Sequence, residues 1–285
     1  MARIAYVNGR YVPHREAAVH VEDRGFQFAD GVYEVCEVRG GRLIDETRHL
    51  ARLQRSLGEL RMALPMPLSA LGIVLRETIL RNRVRDGLAY LQITRGTARR
   101  DFLFPAPSVA PTVVVTARNL DQARIEQNAA EGIAVVTVPD NRWDRVDIKS
   151  VSLLPNVLAK EAAKAAGGRE AWFVDEGGFV TEGASSNAWI VTRDGILVTR
   201  PADHGILRGV TRTVVLDVVA AQKLAFEERK FSIEEAYGAR EAFVTSASQT
   251  VMPVVSIDGR PVGNGAPGLV ASALRRDFAD FAERG

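Results

Sequence analysis

The sequence predicts a mixed α/β fold built from two α+β domains. The chain has 285 residues, a length typical of one large domain or two smaller ones. Segments of alternating apolar and polar residues, as in half-buried strands, are interspersed with segments in which apolar residues recur at helical spacing. A polar stretch in the middle separates two such sets. We therefore expect an N-terminal domain at residues 1–120, a linker at 121–132 and a C-terminal domain at 133–285.

The N-terminal domain is predicted to contain a sheet of antiparallel strands and two amphipathic helices. Alternation predicts strands at residues 3–7, 32–38, 42–44, 88–94 and 111–117. Gly40-Gly41 marks a turn between the second and third of these strands. Leucines at helical spacing predict helices at residues 46–62 and 68–84.

The C-terminal domain is predicted to combine hairpins with three helices. Residues 133–138 alternate as a strand does, and the pairs Gly177-Gly178, Asp194-Gly195 and Asp258-Gly259 are typical of hairpin turns. Apolar periodicity predicts helices at residues 155–166, 209–224 and 267–282. This domain is therefore also mixed α and β.

Composition and charge disfavour several classes of function. The 37 Lys and Arg nearly balance the 35 Asp and Glu, for a net charge of +2, and both signs are scattered. This pattern disfavours nucleic-acid and membrane partners. Cys36 is the only cysteine, and we see no signal sequence or membrane-length apolar run. We therefore expect a soluble protein of the cytoplasm. The four histidines lack metal-ligand spacing, and no phosphate-binding P-loop or Gly-x-Ser-x-Gly motif is present, so we expect no metal.

Lys149 is the lysine whose surroundings differ from those of the others. Only five residues are lysines, and the other four lie in polar or helical contexts typical of solvated side chains. Lys149 instead lies among the apolar residues of segment 146–154. Burial lowers the pKa of an amine, and a neutral amine can condense with a carbonyl. The sequence leaves two alternatives open: a reactive amine, or a lysine that reaches solvent and pairs with Asp147.

Other segments offer groups that would suit an anionic ligand. Glu182 precedes a run of small residues at a predicted strand end, and Ser248 follows another strand. Residues 205–212 lead into a helix whose first N–H groups could bind phosphate. Arg52 lies on the first predicted helix and Arg100 in an arginine-rich loop. Each of these groups, taken alone, is also typical of an ordinary turn, helix start or solvated surface.

Taken together and in order, these segments resemble the class IV pyridoxal-phosphate aminotransferases. The resemblance extends from about residue 21 to residue 259 and is greatest to the D-amino-acid transaminases. The motifs that carry it are Asp23-Arg-Gly25, Asp30-Gly-Val-Tyr-Glu34, His49-Leu-Ala-Arg-Leu53, Arg95-Gly-Thr97, Asp147-Ile-Lys-Ser150, Leu153-Leu-Pro-Asn156, Thr181-Glu-Gly183, Ser185-Ser-Asn187 and Gly209-Val-Thr-Arg212. The resemblance implies fold type IV, with pyridoxal 5'-phosphate between two α/β domains, and a homodimer whose subunits complete each other's sites.

The resemblance also implies roles for individual residues. Lys149 would bind the cofactor covalently and move the substrate proton, while Glu182 would pair with the pyridine nitrogen. The other implied cofactor-binding residues are Arg52, Arg142, Ser186, Leu207, Val210, Thr211, Ala247 and Ser248. The implied substrate-binding residues are Tyr33, Arg100 of the neighbouring subunit and Phe102. Two positions depart from the family pattern, since Phe102 replaces a frequent histidine and Ala247 a usual hydroxyl residue.

The expected activity is transfer of the amino group of a D-amino acid, such as D-alanine, to a 2-oxo acid, such as 2-oxoglutarate, by a ping-pong mechanism. The alternatives within the same fold are a branched-chain L-amino-acid transaminase, an (R)-amine transaminase and an aminodeoxychorismate lyase. A further alternative is a dimeric binding protein that has lost turnover. Lys149 and Glu182, both present, favour an enzyme.

Overall fold

An antiparallel sheet of six strands, with two long helices packed against it, organises the N-terminal part of the chain. The computed structural model describes residues 3–283. The strands are β1 (Ile4–Val7), β2 (Arg10–Pro13), β3 (Gly31–Arg39), β4 (Arg42–Leu43), β5 (Gly87–Thr94) and β6 (Thr112–Asn119), in the order β2-β1-β6-β5-β3-β4. The helices are α1 (Arg24–Phe28), α2 (Glu46–Glu59) and α3 (Leu68–Arg81). Leu50, Leu53 and Leu57 of α2 pack into one apolar cluster with the sheet.

A mixed sheet of nine strands forms the centre of the second unit. Its strands are β7 (Ile133–Pro139), β8 (Glu170–Val174), β9 (Val180–Gly183), β10 (Asn187–Val191), β11 (Leu197–Thr199), β12 (Phe226–Glu228), β13 (Glu241–Ser246), β14 (Thr250–Ile257) and β15 (Arg260–Pro261). They lie in the order β12-β11-β10-β13-β14-β7-β8-β9, and β15 pairs with β14. The neighbours Ala242 and Phe243 of β13 belong to different apolar clusters. Both faces of this sheet are therefore buried.

Five helices accompany the nine-stranded sheet in the part of the chain that the structure describes. They are α4 (Gln122–Glu131), α5 (Leu154–Ala165), α6 (Val210–Gln222), α7 (Ile233–Tyr237) and α8 (Leu269–Phe281). Valines of α6 and Leu274 of α8 pack together in one apolar cluster. Within residues 3–283, every helix is too short or too polar to cross a bilayer. The predicted mixed α/β fold is confirmed.

The structure differs from the predicted domain boundaries in two places. Residues 122–131 of the expected linker form α4, because Ile125 and Ala129, four residues apart, pack against the second unit's core. The segment Ile148–Ser152 packs with residues 1–121 rather than with the C-terminal unit. Lys149 therefore belongs to the first unit, which corrects its predicted position in the C-terminal domain.

Candidate active site

The backbone around Lys149 is held by two elements of the first unit. Tyr33 N donates to Lys149 O at 3.0 Å, and Val151 N donates to Gly31 O at 3.0 Å. Strand β4 pairs only with the last residues of β3, so the first residues of β3 have a free edge on that side. The segment around Lys149 pairs with this edge as a short extended stretch. Lys149 N donates to the buried Oγ of Ser56 on α2 at 3.3 Å. The position of Lys149 is thus fixed by β3 and α2.

The Lys149 amine lies over an aromatic ring. Its Nζ is 4.3 Å from the ring centre of Tyr33, and Tyr33 stacks on Tyr90 with 5.7 Å between ring centres. The Tyr90 hydroxyl donates to Gln92 Oε1 at 2.6 Å, and burial, with a smaller effect of Tyr33, raises the pKa of Tyr90 to about 12. Tyr90 is therefore a neutral support for the ring that faces the amine.

Asp147, the carboxylate suggested as a partner for Lys149, forms a bidentate pair with Arg145. Arg145 Nε lies 2.9 Å from Asp147 Oδ1, and Arg145 Nη2 lies 3.0 Å from Asp147 Oδ2. Arg52 is not on a solvated surface of its helix, because its side chain is only 10% exposed and pairs with Glu34. The Asp147 carboxylate is therefore engaged by Arg145, and the Arg52 guanidinium by Glu34.

In the second unit, the Glu182 carboxylate on β9 is buried and accepts hydrogen bonds from three groups. Asn187 Nδ2 donates to its Oε2 at 3.0 Å and Leu207 N donates to the same oxygen at 3.1 Å. Arg142 Nη1 donates to Oε1. Hydrogen bonds to a carboxylate favour its ionised form. Glu182 is therefore arranged as a buried anion.

Arg142 is fixed by two carboxylates. Besides Glu182, it makes a bidentate pair with Asp140, at 2.8 Å from Nε and 2.7 Å from Nη2. Burial alone would raise the pKa of Asp140, but hydrogen bonds and charge from Arg142, with a bond from Thr181, lower it. The guanidinium also lies 4.3 Å from the ring centre of Phe173. The side chain next to Glu182 is therefore a charged and rigid one.

The start of α6 has the features of an anion-binding site. Gly209 is the N-cap, so no side chain bonds the first N–H groups of the helix, which include those of Val210 and Thr211. A Cβ on Gly209 would lie 2.1 Å from Asn187 Oδ1. The absence of a side chain thus lets the helix start approach the amide that bonds Glu182. A buried carboxylate and an uncapped helix start suit a group with a protonated ring nitrogen and a phosphate.

The remaining predicted cofactor residues of the second unit lie in turns. Ser186 is buried and its hydroxyl donates to Glu170 Oε2 at 3.0 Å. The hydroxyl oxygen can therefore act toward a ligand as a hydrogen-bond acceptor. Ala247 and Ser248 form the turn between β13 and β14, and the Ser248 Oγ lies 3.3 Å from the Ser246 Oγ.

Arg100 and Phe102 lie in an exposed loop of the first unit. The Arg100 guanidinium is 5.2 Å from the ring centre of Phe28 and 5.7 Å from that of Phe102. Phe102 is 80% exposed, and Phe26 and Leu103 are almost as open. Arg24, which is buried, donates to the carbonyls of residues 101 and 103 of this loop. Arg24 thus holds the backbone of the loop in place, and Arg100 lies on the loop next to exposed apolar side chains.

The structure divides the predicted site residues between the two units. The first unit brings together Lys149, Tyr33 and Arg52 around β3 and α2, and it also carries the Arg100 loop. The second unit brings together Glu182, Arg142 and Leu207. Four residues contact the predicted site residues although the sequence predicted no role for them: Glu34, His49, Asp140 and Asn187. Glu34 carried a signal, since it is a charged residue at an alternating, core-facing position of β3.

Comparison with known proteins gives consistent results. A family model described as amino-transferase class IV matches residues 31–257. The D-alanine aminotransferase of Staphylococcus haemolyticus is 40% identical over 278 residues, which cover 98% of this chain and 97% of that protein. The D-alanine aminotransferase of Bacillus licheniformis is 41% identical over 261 residues, which cover 92% of this chain and 90% of that protein.

Solved structures share the fold over nearly the whole chain. The T.th. branched-chain amino acid aminotransferase with pyridoxamine 5'-phosphate superposes with a TM-score of 0.89 at 27% identity, covering 98% of this chain and 94% of that one. The branched-chain amino acid aminotransferase of Escherichia coli gives a TM-score of 0.87 at 24% identity and the same coverage. This second likeness concerns the fold alone.

Proposed function

Because the chain belongs to the class IV aminotransferase family, we propose that it is a pyridoxal-phosphate-dependent D-amino-acid transaminase with D-alanine as a donor and 2-oxoglutarate as an acceptor. The observation that carries the proposal is the full-length similarity to proteins named D-alanine aminotransferase. The buried Glu182 and the fixed Lys149 support it, because they are the two groups that this chemistry requires.

We propose the following roles for the predicted residues in binding the cofactor. Lys149 binds it covalently, and Glu182 bonds its pyridine nitrogen beside Arg142. Leu207 supports the ring, and Ser186 offers its lone pairs. The phosphate is held by Arg52 and by the N–H groups and hydroxyls at the second unit's turns and helix start, namely Val210, Thr211, Ala247 and Ser248. The uncapped start of α6 supports this assignment.

The residues of the chain have separate tasks in the proposed reaction. Pyridoxal phosphate supplies a carbonyl carbon for the amino group and an electron sink for the substrate. Lys149 Nζ would take the proton from the substrate Cα and deliver it to C4′, the carbonyl carbon of the cofactor, as a general base with a fixed backbone. The ionised Glu182 holds a proton on the pyridine nitrogen, which deepens the electron sink. Its three donors keep its charge in place throughout.

We further propose a homodimer in which Tyr33, together with Arg100 of the partner subunit, binds the substrate carboxylate. An arginine offers a carboxylate two parallel hydrogen bonds. The exposed Phe102 and Leu103 next to Arg100 support the dimer, because exposed apolar side chains grouped together are typical of a contact surface. Phe102 would add an apolar wall beside Arg100.

The second candidate is transamination of branched-chain L-amino acids. The likeness to a branched-chain aminotransferase at 27% identity favours it, although the more similar curated relatives carry the D-alanine name.

A panel of paired donors tests the proposal. Purified protein with pyridoxal phosphate is incubated with 2-oxoglutarate and either D-alanine, L-alanine, D-leucine or L-leucine, and glutamate and the new oxo acid are measured. We expect product with the D-donors and none above background with the L-donors. Product from L-leucine alone would favour the second candidate, and product from no donor would refute a transaminase.

A further inference from the structure

Arg52 is contacted by two buried titratable side chains, Glu34 and His49. Neither of them binds substrate or cofactor in the proposed function. Glu34 is 1% exposed and His49 is 3% exposed. Glu34 lies on β3 between the apolar Val32 and Cys36 of the same face, and that face packs in the first unit's core with α2. An ionised carboxylate is costly at such a position unless it is paired. The side chains that pair with Glu34 therefore indicate why a carboxylate lies at this position.

Glu34 and Arg52 form a bidentate ion pair. Arg52 Nε donates to Glu34 Oε1 at 2.8 Å, and Arg52 Nη2 donates to Glu34 Oε2 at 2.7 Å. Two parallel bonds fix the plane of the guanidinium as well as its place. A fixed plane is what an arginine needs for specific binding of a tetrahedral oxyanion such as phosphate.

His49 completes the arrangement. Its Nδ1 lies 2.7 Å from Glu34 Oε2. An ionised carboxylate can only accept hydrogen bonds, so Nδ1 carries the proton of the imidazole. Burial lowers the pKa of His49, and with the nearby charges of Arg52 and Lys149 it outweighs the opposite effect of Glu34. His49 is therefore a neutral donor that holds the second carboxylate oxygen in place.

The charge state of the pair is stable. Burial alone would raise the pKa of Glu34, but the charge and hydrogen bonds of Arg52, with the hydrogen bond of His49, lower it to about 2. Glu34 remains ionised at neutral pH. The Arg52 charge is thus balanced by an anion that belongs to the protein itself.

We propose that Glu34 and His49 are positioning residues, which orient the Arg52 guanidinium toward the phosphate group of the cofactor. This inference rests on the proposed function, in which Arg52 binds that phosphate. His49, Arg52 and Ser56 recur at spacings of three and four residues on α2, so they share one face of the helix. The same face thus carries the arginine and the hydroxyl that bonds the Lys149 backbone. The β3–α2 pair therefore aligns the phosphate-binding arginine with the reactive lysine.

The test compares two ligands that differ by the phosphate alone. The full-length protein, freed of cofactor, is titrated with pyridoxal phosphate and with pyridoxal, and both Kd values are measured by absorbance. For Glu34→Gln we expect the Kd for pyridoxal phosphate to rise on the order of 10- to 100-fold, as for a partner that orients a ligand-binding side chain. The Kd for pyridoxal should stay unchanged, because that ligand lacks the phosphate.

A matched control separates positioning from loss of an ion pair in general. Asp175→Asn breaks the pair with the buried Arg200, which is 2.9 Å long, and it should leave the ratio of the two Kd values as in the wild type. In an Arg52→Ala background, Glu34→Gln should add nothing to that ratio. An additive effect there would overturn the inference.

A second variant covers the case in which Glu34→Gln does not fold, as judged by circular dichroism. His49→Leu removes the donor to Glu34, and we expect it to raise the Kd for pyridoxal phosphate several-fold, while His49→Asn, which keeps a donor amide, stays close to the wild type. If folded variants leave the ratio of the two Kd values unchanged, the inference is wrong. If the wild type binds pyridoxal but gains nothing from the phosphate, Arg52 is no phosphate ligand. If it binds neither compound, the proposed function also fails.

Discussion

At the residue scale, Lys149 shows how a lone sequence signal becomes a site. Its apolar neighbours predicted an unusual lysine, and the structure adds the backbone bonds to β3 and α2 and the ring of Tyr33 beneath Nζ. Glu182 gave a weaker signal, because the groups that bond it come from other segments. The Arg142 side chain and the Leu207 backbone are far from it in sequence. Local sequence could predict the charged groups but not their partners.

Replacement of Lys149 should abolish turnover. Lys149→Ala removes the group that moves the proton, and it leaves the backbone bonds of residue 149 intact. We expect no measurable product from D-alanine and 2-oxoglutarate and a thermal unfolding temperature close to that of the wild type. Lys164→Ala, at an exposed position of α5, is the control and should retain full activity. Normal turnover in Lys149→Ala would refute the assignment.

Replacement of Glu182 by its amide should slow the reaction without removing the cofactor. Glu182→Gln keeps the size but loses the charge that holds a proton on the pyridine nitrogen. We expect the rate of a single turnover with D-alanine to fall on the order of 10²-fold, the scale of one electrostatic contact in a site. Glu176→Gln, in the exposed turn that precedes β9, is the control. Equal rates for the two variants would make Glu182 a bystander.

At the element scale, the start of helix α6 and the start of strand β10 depend on each other. Gly209 has a backbone conformation that any residue can adopt. A glycine is therefore needed here because a side chain would not fit, and not because of its backbone angles. In Gly209→Ala the new Cβ would lie 2.1 Å from Asn187 Oδ1, and Asn187 would move away from Glu182. We expect weaker binding of pyridoxal phosphate and lower activity, measured by titration and by the D-alanine assay.

Gly58→Ala is the matched control for that substitution. Gly58 lies in α2 and a Cβ there would meet nothing within 4 Å. Alanine in place of a helical glycine stabilises a helix by roughly 0.5–1 kcal/mol. This variant should therefore unfold at a higher temperature and bind pyridoxal phosphate as the wild type does. Unchanged cofactor binding in Gly209→Ala would contradict this prediction, because it would show that the start of α6 can accommodate a Cβ at residue 209.

The long elements were predictable because their pattern is local. The leucines of α2 and the alternation of β3 appear in the structure close to the predicted bounds. Helix α4 was missed because its buried stripe consists of little more than Ile125 and Ala129. The segment Ile148–Ser152 was assigned to the wrong unit because its pairing partners on β3 lie far from it in the sequence. Pairing at such a distance leaves no trace in local periodicity.

At the scale of the whole molecule, the proposed dimer makes a prediction that a single subunit cannot. If Arg100 serves the partner's site, a heterodimer of Lys149→Ala and Arg100→Ala subunits contains one site with both defects and one with neither. We expect about half of the wild-type activity from such a heterodimer, since one of its two sites is intact. The measurement is co-expression with two different tags, isolation of the heterodimer and the D-alanine assay.

The parent homodimers are the controls, because each carries its defect in both sites. Lys149→Ala homodimers should be inactive, and Arg100→Ala homodimers should show a raised KM for D-alanine with the cofactor still bound. A heterodimer no more active than its parents would place Arg100 in its own subunit's site. The exposed loop around Phe102 would then need another explanation.

The most direct test of the central claim is borohydride fixation of the cofactor followed by peptide mapping. Protein loaded with pyridoxal phosphate is incubated with buffer, D-alanine or L-alanine in the absence of an oxo acid, and it is then reduced. We predict that the cofactor becomes fixed to the peptide that contains Lys149 in buffer and in L-alanine, and that D-alanine prevents fixation because it removes the carbonyl form. Fixation to another lysine, or loss of fixation in L-alanine and not in D-alanine, would contradict the account.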